Sequence, residues 1–330
     1  MTTSDLTLLE IQNARESEET PLAMEQVFAA LGSGGGHQSI ITRLLHPGHT
    51  PPYFSLEMVS VNSRIHFFLA TTESLRGYLE SQLTAQYPRI LIAKAADYAP
   101  HFLSLPHASG QLVYGNAHYL PLKTYKDIKD LDILSGVAGQ FAKLAPQEAI
   151  ALQIRLSPAG SSWQRSIASL IARGVPDTNS TVGRTKPHPH ARIMETKMNQ
   201  VGFFASLRLL SVAPTPERAR EILQTTAGSF GVYTLGEGNN LVLSPLQFWQ
   251  KKKFEQSLVT RGEYARPPFQ IMGASELSSL WHPPGIGLSM IKNIHWGAHL
   301  LGEAPADLPI AVEDQEEKRR INFFAKTEYK

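Results

Sequence analysis

The sequence predicts an α+β protein in which the element order β-α-β-β-α-β occurs twice. Apolar and polar side chains alternate in short segments typical of half-buried strands, and residues 150–156 are the clearest case. Between those segments, apolar side chains recur at helical spacing. A Thr-Pro pair, in which threonine caps a helix and proline suits its first position, precedes one helix in each half, at residues 20–21 and 215–216.

The first occurrence of this order is predicted within residues 1–105. Its strands are expected at residues 6–11, 54–59, 65–69 and 89–93. The first helix begins at residue 20 and ends at Gly32, because glycine is a common stop signal for helices. A turn at residues 62–63 joins the two middle strands into a hairpin, and Thr72 begins the second helix.

The second occurrence is predicted within residues 106–245. Its strands are expected at residues 111–114, 150–156, 203–209 and 240–243. An insertion around residues 158–200 separates the two middle strands and contains an amphipathic helix that begins near Trp163. Residues 246–330 are predicted to form an irregular connecting segment.

This order of elements defines the ferredoxin-like fold, in which two helices pack on one side of an antiparallel sheet. The sequence therefore predicts two tandem ferredoxin-like units with antiparallel sheets. Such sheets leave their other face, or a strand edge, open to a partner.

Composition excludes several classes of protein. The 330 residues include no cysteine, which excludes disulfides, cysteine-ligated zinc, iron–sulfur clusters and thiol nucleophiles. The formal net charge of +2 is too small to indicate nucleic-acid binding by itself. The N-terminal residues lack the pattern of a signal peptide, and no apolar run approaches the ~20 residues that span a bilayer. We expect a cytoplasmic protein, with a peripheral position at the inner face of the cell membrane as the alternative. Any contact with the membrane is expected to be indirect, through another component.

Two groups of side chains are the candidate contacts for nucleic acid or another anionic partner. Lys251, Lys252 and Lys253 form a basic run that can contact nucleic acid or acidic lipid headgroups, although such runs are more often a solvated surface. His188 and His190 flank a proline in a polar linker. A solvated loop or a contact with phosphate is expected there in preference to metal ligation, because no acidic companion or HExxH motif accompanies them.

No catalytic, cofactor-binding or metal-binding residue is predicted. The sequence contains no phosphate loop of the form G-x-x-x-x-G-K-[ST], and the glycine-rich residues 32–36 follow a helix instead of a strand, which favours a flexible loop. Serine and histidine occur without a G-x-S-x-G elbow, and no pair of carboxylates indicates acid–base chemistry. We therefore expect no enzyme activity and no cofactor.

Several stretches of the chain resemble one family in their order. They are LLEIQ…TPLAMEQVFAALG, FSLEMVSVNSRIHFFLATTESLRGYLESQLTAQYP, YLPLKTYKD, SVAPTPERAREIL, ELSSLWHPP, GEAPADLPIA and INFFAKTEYK. They resemble the N-terminal region of conjugative-transfer ATPases of candidate-phyla bacteria, which are related to type IV secretion motor and coupling ATPases and to DNA pumps of the HerA/FtsK type. In that family the last stretch leads into a RecA-like motor, so the resemblance implies that residues 246–330 are a connecting segment that leads toward a motor domain absent from these 330 residues.

The resemblance implies a non-catalytic assembly and regulatory module of a type IV secretion or conjugative DNA-transfer ATPase. Its expected partners are the motor ATPase, the secretion machinery and further copies of itself. A nucleic-acid-binding ferredoxin-like module is the alternative, although the sequence lacks the clustered aromatic signature of RNA-recognition sheets. A small-molecule enzyme is a third interpretation, because fold alone does not determine function.

Overall fold

The computed structural model describes residues 6–34, 53–129, 131–177, 184–244, 246–262 and 270–297. The strands in this part of the chain are β1 (Leu6–Gln12), β2 (Phe54–Val61), β3 (Arg64–Thr72), β4 (Leu91–Lys94), β5 (His107–Tyr114), β6 (Ala149–Pro158), β7 (Val175–Pro176), β8 (Thr185–Lys186), β9 (Gly202–Val212), β10 (Leu241–Ser244) and β11 (Gln270–Gly273). The helices are α1 (Pro21–Gly34), α2 (Glu73–Gln86), α3 (Ala99–Ser104), α4 (Ser135–Phe141), α5 (Ser162–Arg173), α6 (Ala191–Met198), α7 (Pro216–Ser229), α8 (Phe248–Thr260) and α9 (Ala274–Leu280).

The predicted α+β class is confirmed, and each predicted strand is present within a few residues of its expected bounds. The Thr215 hydroxyl caps α7 by accepting a hydrogen bond from the Arg218 amide at 3.3 Å, as the Thr-Pro signal predicts. Asn62 and Ser63 both have positive φ, which is the geometry of a tight hairpin turn. The expected stop at Gly32 is wrong, because α1 continues to Gly34. The glycine permits close packing there, since a Cβ atom at residue 32 would lie 2.7 Å from the Val201 Cβ.

The strands form one continuous sheet in the order β10-β5-β9-β6-β2-β3-β1-β4, and every pair in it is antiparallel. β11 pairs with β9 at the end that β5 does not reach. β7 and β8 form a separate two-stranded ribbon. The predicted units 1–105 and 106–245 therefore share one sheet.

The two halves of the sheet have the same strand order. In residues 6–94 and again in residues 107–244, the fourth strand lies beside the first, the first beside the third, and the third beside the second. The second strands of the two halves, β2 and β6, pair with each other, so that Met58 lies opposite Leu152. Both strands are buried along almost their whole length, as expected for the centre of a sheet.

One face of the sheet, named the helical face, carries most of the core. Apolar side chains of all the long strands contact α1, α2, α4, α7 and α9 in one continuous apolar cluster. Burial of this surface contributes on the order of 25 cal/mol per Å² of apolar area, which makes it the main stabilising term of the fold. Trp281, which follows α9, is fully buried here, and its indole nitrogen donates to the Glu57 carbonyl oxygen at 3.0 Å.

The opposite face of the sheet, named the second face, is also covered. A smaller apolar cluster places Leu8, Val59 and Phe68 against Phe102 of α3 and Phe254 of α8. The expectation that this face is left open to a partner is therefore wrong at its centre. The covering helices come from the connection after β4 and from the chain beyond β10.

Residues 246–297 are more regular than the predicted connecting segment. They contain α8, β11 and α9, and they belong to the compact unit that ends at Gly297. The predicted irregular segment is wrong here because these elements bury apolar side chains against both faces of the sheet. Residues 298–330, with the final stretch INFFAKTEYK, lie outside the described residues, as do residues 35 and 36 of the glycine-rich stretch 32–36.

The insertion between β6 and β9 folds against the same unit. Lys197 of α6 is fully buried, and its ammonium group lies 3.1 Å from the Glu276 carboxylate of α9. Glu276 also accepts hydrogen bonds from the backbone amides of Leu122 and Gly273 and from the Tyr114 hydroxyl. This buried network joins the insertion, α9 and β5 at one point on the helical face.

Candidate anionic-surface contact on helix α8

The centre of the second face carries buried polar side chains beneath α3 and α8. Glu57 of β2 accepts hydrogen bonds from Arg261 at 3.0 Å and from the Tyr98 hydroxyl at 2.7 Å. Arg261 also donates from Nη2 to Asp97 Oδ1 at 2.9 Å. Burial alone would lower the pKa of Arg261, but the charge of Glu57, the Tyr98 side chain and the hydrogen bonds to Asp97 and Glu57 together outweigh burial and raise the pKa, so the guanidinium remains charged. These contacts fasten the C-terminal end of α8 to the sheet.

The backbone at the end of α8 is held by a second arginine. Arg208 of β9 donates to the Ser257 carbonyl oxygen at 2.8 Å and to the Gly262 carbonyl oxygen at 2.7 Å. Arg261 itself has a φ of 49°, a left-handed conformation that is uncommon outside glycine. The hydrogen bonds of both guanidinium groups stabilise this sharp exit from the helix.

The buried side of α8 is confined to its second half. Phe254, Ser257 and Leu258 are buried, at positions i, i+3 and i+4, and they contact the second face of the sheet. The first turn of the helix makes no such contribution. Phe248 is 85% exposed and Trp249 is 61% exposed, and their rings pack edge to face with centroids 4.9 Å apart. Two large aromatic side chains in solvent at one end of a helix are an unusual arrangement.

The three predicted lysines lie in the same part of α8. Lys252 and Lys253 are exposed, and they follow Phe248 and Trp249 by four residues each, so that each aromatic ring shares a helix face with one lysine. Lys251 lies 3.6 Å from Glu255 and is partly neutralised by it. We name these five residues (Phe248, Trp249, Lys251, Lys252 and Lys253) the α8 tip.

A groove lies beside the α8 tip. β10 pairs only with the second half of β5, so the residues that begin β5 line an open groove of 560 Å³ instead of pairing with it. Phe248 and Lys251 of α8 and Arg220 of α7 line this groove. His107 lines the groove as well and contacts Glu255 at 2.8 Å. The groove therefore combines apolar and cationic side chains.

His188 and His190 belong to a different part of the molecule. They lie in the turn before α6, with ring centroids 5.8 Å apart, and His188 packs edge to face against Tyr119 at 6.1 Å. The His188 Nδ1 atom accepts a hydrogen bond from the His190 backbone amide at 3.2 Å. This hydrogen bond lies within the turn and stabilises its local conformation. No contact in the described chain joins these histidines to the α8 tip, so the five predicted contact residues form two separate groups.

Phe248 and Trp249 are the residues that sequence reasoning missed. The signal was present in the letters FWQKKKFEQSL, because Phe254 and Leu258 define a buried face that leaves the aromatic pair on the other side. The interruption of that face by Ser257 weakens the amphipathic pattern.

Comparison of the whole chain with protein families gives one match. Residues 7–296 match the family described as a domain of unknown function, DUF8128. The chain belongs to this family. The matched range nearly coincides with the compact unit that ends at Gly297, so the shared sheet, the insertion and α9 are all parts of a DUF8128 domain. No curated protein matches this DUF8128 chain.

Within its described residues, no helix has both the length and the apolar character needed to cross a bilayer.

Proposed function

We propose that this DUF8128 chain is a non-catalytic assembly and regulatory module of a type IV secretion or conjugative DNA-transfer ATPase, and that the α8 tip docks it on an anionic membrane surface. The docking proposal rests on the α8 tip itself, where two aromatic rings and three lysines are exposed to solvent and do not pack in the core. The sequence resemblance supports the connection to a secretion motor, and the module acts in the cytoplasm at the inner face of the membrane.

We also propose that the two halves are ferredoxin-like units that pair through their second strands. The identical strand order of the two halves supports this, because a fourth-first-third-second order with two crossover helices defines that fold. Pairing of β2 with β6 uses one edge of each unit for the internal contact. The outer edges, β10 and β4, remain at the two ends of the sheet for oligomer contacts.

Membrane docking fits the chemistry of the α8 tip. Tryptophan is favoured where protein meets the headgroup region, since its ring system is apolar and its indole nitrogen can remain hydrated, and phenylalanine adds apolar area that is buried at the boundary of the acyl chains. Each lysine near an anionic leaflet contributes about 1 kcal/mol. The three lysines together give roughly 2–3 kcal/mol after allowance for the Lys251–Glu255 pair, which supports weak, reversible binding that several copies in an assembly would strengthen.

Flotation with lipid vesicles tests this proposal. The chain is mixed with phosphatidylcholine vesicles and with vesicles that contain about 30% phosphatidylglycerol, at ~50 mM salt. We expect binding only to the anionic vesicles and release at ~0.5 M salt, where charges are screened within a few ångströms. The triple variant K251Q/K252Q/K253Q should weaken partitioning by about 30- to 150-fold, and F248S/W249S should weaken it further.

A matched variant separates a docking site from a general charge effect. Lys94, Lys143 and Lys292 are also exposed, and K94Q/K143Q/K292Q removes the same charge from other places. It should retain vesicle binding. Equal losses in both triple variants would refute a site at the α8 tip. Binding of labelled single-stranded DNA at ~50 mM salt, without vesicle binding, would favour the nucleic-acid alternative, in which the aromatic rings stack on bases.

The link to a motor needs its own experiment. We expect a RecA-like motor polypeptide from a matching conjugative system to co-purify with this chain when the two are expressed together. The F248S/W249S variant should retain that complex, because the α8 tip is assigned to the membrane. Failure of a matching motor to bind, together with an unchanged rate of ATP hydrolysis in its presence, would count against an assembly and regulatory role.

A further inference from the structure

Three metal-ligating side chains from distant parts of the sequence meet on the second face of the sheet. Glu10 lies on β1, His66 on β3, and His295 in the segment that follows α9. The Nδ1 atoms of His66 and His295 lie 2.7 Å and 2.6 Å from the same oxygen, Glu10 Oε1. One ligand atom from each residue lies within 4.8 Å of the other two. We name this group the His-Glu-His cluster.

Backbone pairing holds the three residues in place. β1 and β3 are neighbours in the sheet, and Glu10 lies opposite Phe68 in their register. The Ile65 amide donates to the Asn293 carbonyl oxygen at 2.8 Å, and the His295 amide donates to the Ile65 carbonyl oxygen at 2.9 Å. The segment that carries His295 therefore extends the sheet beside β3, just beyond the end of β1.

Two neighbours of the His295 Nδ1 atom require opposite protonation states of that nitrogen. A hydrogen bond to Glu10 requires a proton on His295 Nδ1, whereas the Gln12 amide nitrogen, 3.1 Å away, requires a lone pair there. If the amide is turned, its oxygen faces the same nitrogen and competes with Glu10 for the proton. Lone pairs of two imidazoles, a carboxylate and an amide thus converge on one region. A cation that replaces the shared protons satisfies them together.

We propose that the His-Glu-His cluster binds a divalent transition-metal ion of the Zn²⁺ class through His66, His295 and Glu10. Imidazole with carboxylate is a ligand set for Zn²⁺, Co²⁺, Ni²⁺ and Fe²⁺, whereas Mg²⁺ and Ca²⁺ prefer oxygen ligands. Metal–ligand distances of about 2.0–2.1 Å place neighbouring ligand atoms roughly 3.3 Å apart, so each distance from a histidine Nδ1 to Glu10 Oε1 needs to lengthen by about 0.6 Å.

The cluster is also accessible. The His66, Glu10 and His295 side chains are 18%, 17% and 31% exposed, which leaves a path for the ion and room for water as a further ligand. The bound ion would join the segment 293–297 to β1 and β3. The sequence alone predicts no metal ligand here because Glu10 and His295 are separated by 285 positions, and no local spacing motif connects them.

Metal titration of the purified full chain tests the proposal. After removal of metal with a chelator, isothermal titration with Zn²⁺ should give one ion per chain, and Co²⁺ should give the visible absorption of a nitrogen- and oxygen-ligated site. Saturating Zn²⁺ should raise Tm by on the order of 5 °C. The variants E10Q and H295A should each weaken Zn²⁺ affinity on the order of 100-fold or more, beyond the 10- to 100-fold expected for outer-shell changes.

A second histidine pair in the chain supplies the matched control. H188A/H190A removes two histidines that also lie close together and should leave Zn²⁺ affinity unchanged. In the wild-type chain, Zn²⁺ should protect His66 and His295 from modification by diethyl pyrocarbonate, which gives a result even if a variant fails to fold. Absence of this protection, or loss of Zn²⁺ binding only in H188A/H190A, would overturn the assignment.

Discussion

The two faces of the sheet are covered in different ways. On the helical face, helices from both halves and α9 form one continuous apolar core, and buried ion pairs such as Lys197–Glu276 lie at its margin. On the second face, α3 and α8 cover a smaller apolar cluster, and the charged group around Glu57 lies beneath them. Ion pairs and hydrogen bonds of buried polar side chains therefore contribute more to holding α3 and α8 on the second face than to holding the helices on the helical face.

This difference explains how α8 can serve two purposes. Its second half is fixed by Arg261, Arg208 and Phe254, so the helix needs no support from its first turn. The α8 tip is consequently available for a partner without loss of the fold. A helix held by a uniform apolar stripe would have buried its aromatic residues instead.

Removal of the Arg261 side chain should produce the largest effect. In R261M, Glu57 is fully buried and, among the side chains of the described residues, keeps only the hydrogen bond from the Tyr98 hydroxyl, so an unpaired charge remains inside the protein. We expect a loss of about 3–5 kcal/mol in the free energy of unfolding, measured by urea denaturation. K197M should lose less, about 1–3 kcal/mol, because Glu276 retains two backbone amides and the Tyr114 hydroxyl.

The double variant R261M/E57Q is the control for this explanation. It replaces the unpaired Glu57 carboxylate with a neutral amide and should recover part of the stability that R261M loses. Equal losses for R261M and K197M would contradict the proposed difference between the two faces. No recovery in the double variant would indicate that Arg261 acts through its packing or its contact with Asp97 instead.

A smaller effect should appear as pH dependence on the helical face. His282 is buried, with Nε2 2.9 Å from Asp132 Oδ2 and Nδ1 2.8 Å from the Ser278 carbonyl oxygen, so both nitrogens face acceptors. Burial alone would lower the pKa of His282, but the charge and hydrogen bond of Asp132, together with the hydrogen bond to the Ser278 carbonyl oxygen, outweigh burial and raise it. Burial alone would raise the pKa of Asp132, but the charge and hydrogen bond of His282, together with the hydrogen bond from the Leu134 amide, outweigh burial and lower it.

The signs define the window in which this pair stabilises the fold. The contribution of His282 is fully present below its ordinary pKa of about 6.5 and is lost as pH rises through the higher value in the folded protein. The contribution of Asp132 is present above its ordinary pKa and is lost as pH falls through its lower folded value. Urea denaturation from pH 6 to pH 9 should show a steeper decline for the wild-type chain than for H282N. Parallel curves would show that the pair is uncharged.

Local features of the fold were predictable from sequence, and the contacts between distant segments were not. Thr215-Pro216 marks the start of α7, and residues 62–63 form the expected hairpin turn, because both depend on neighbouring residues. Gln153 and Arg155 alternate with apolar residues and indicated a solvated side of β6. Both are buried: Gln153 donates to the Tyr98 hydroxyl and to the Leu258 carbonyl oxygen of α8, and the Arg155 guanidinium lies 4.9 Å from the centre of the Tyr53 ring.

The same distinction between local sequence patterns and contacts between distant segments applies to the candidate sites. Lys251, Lys252 and Lys253 are consecutive, so the basic run can be read directly from the sequence. The sequence does not show that this run lies on a helix whose C-terminal end is fixed to the sheet. The His-Glu-His cluster requires the pairing of β1 with β3 and of residue 295 with the end of β3. Neither follows from spacing, since the segment 293–297 has no strand pattern of its own.

The smallest stability effect should come from the α8 tip, and α8 supplies a matched pair of phenylalanines to measure it. F254A removes a fully buried ring and should lower the free energy of unfolding by about 3–5 kcal/mol. F248A removes a ring that is 85% exposed and should change it by less than about 0.5 kcal/mol, while weakening binding to anionic vesicles. The two measurements on one helix, at the same salt concentration, separate folding from docking. A stability loss in F248A comparable to that in F254A would mean that the α8 tip is part of the core and not a surface held for a partner.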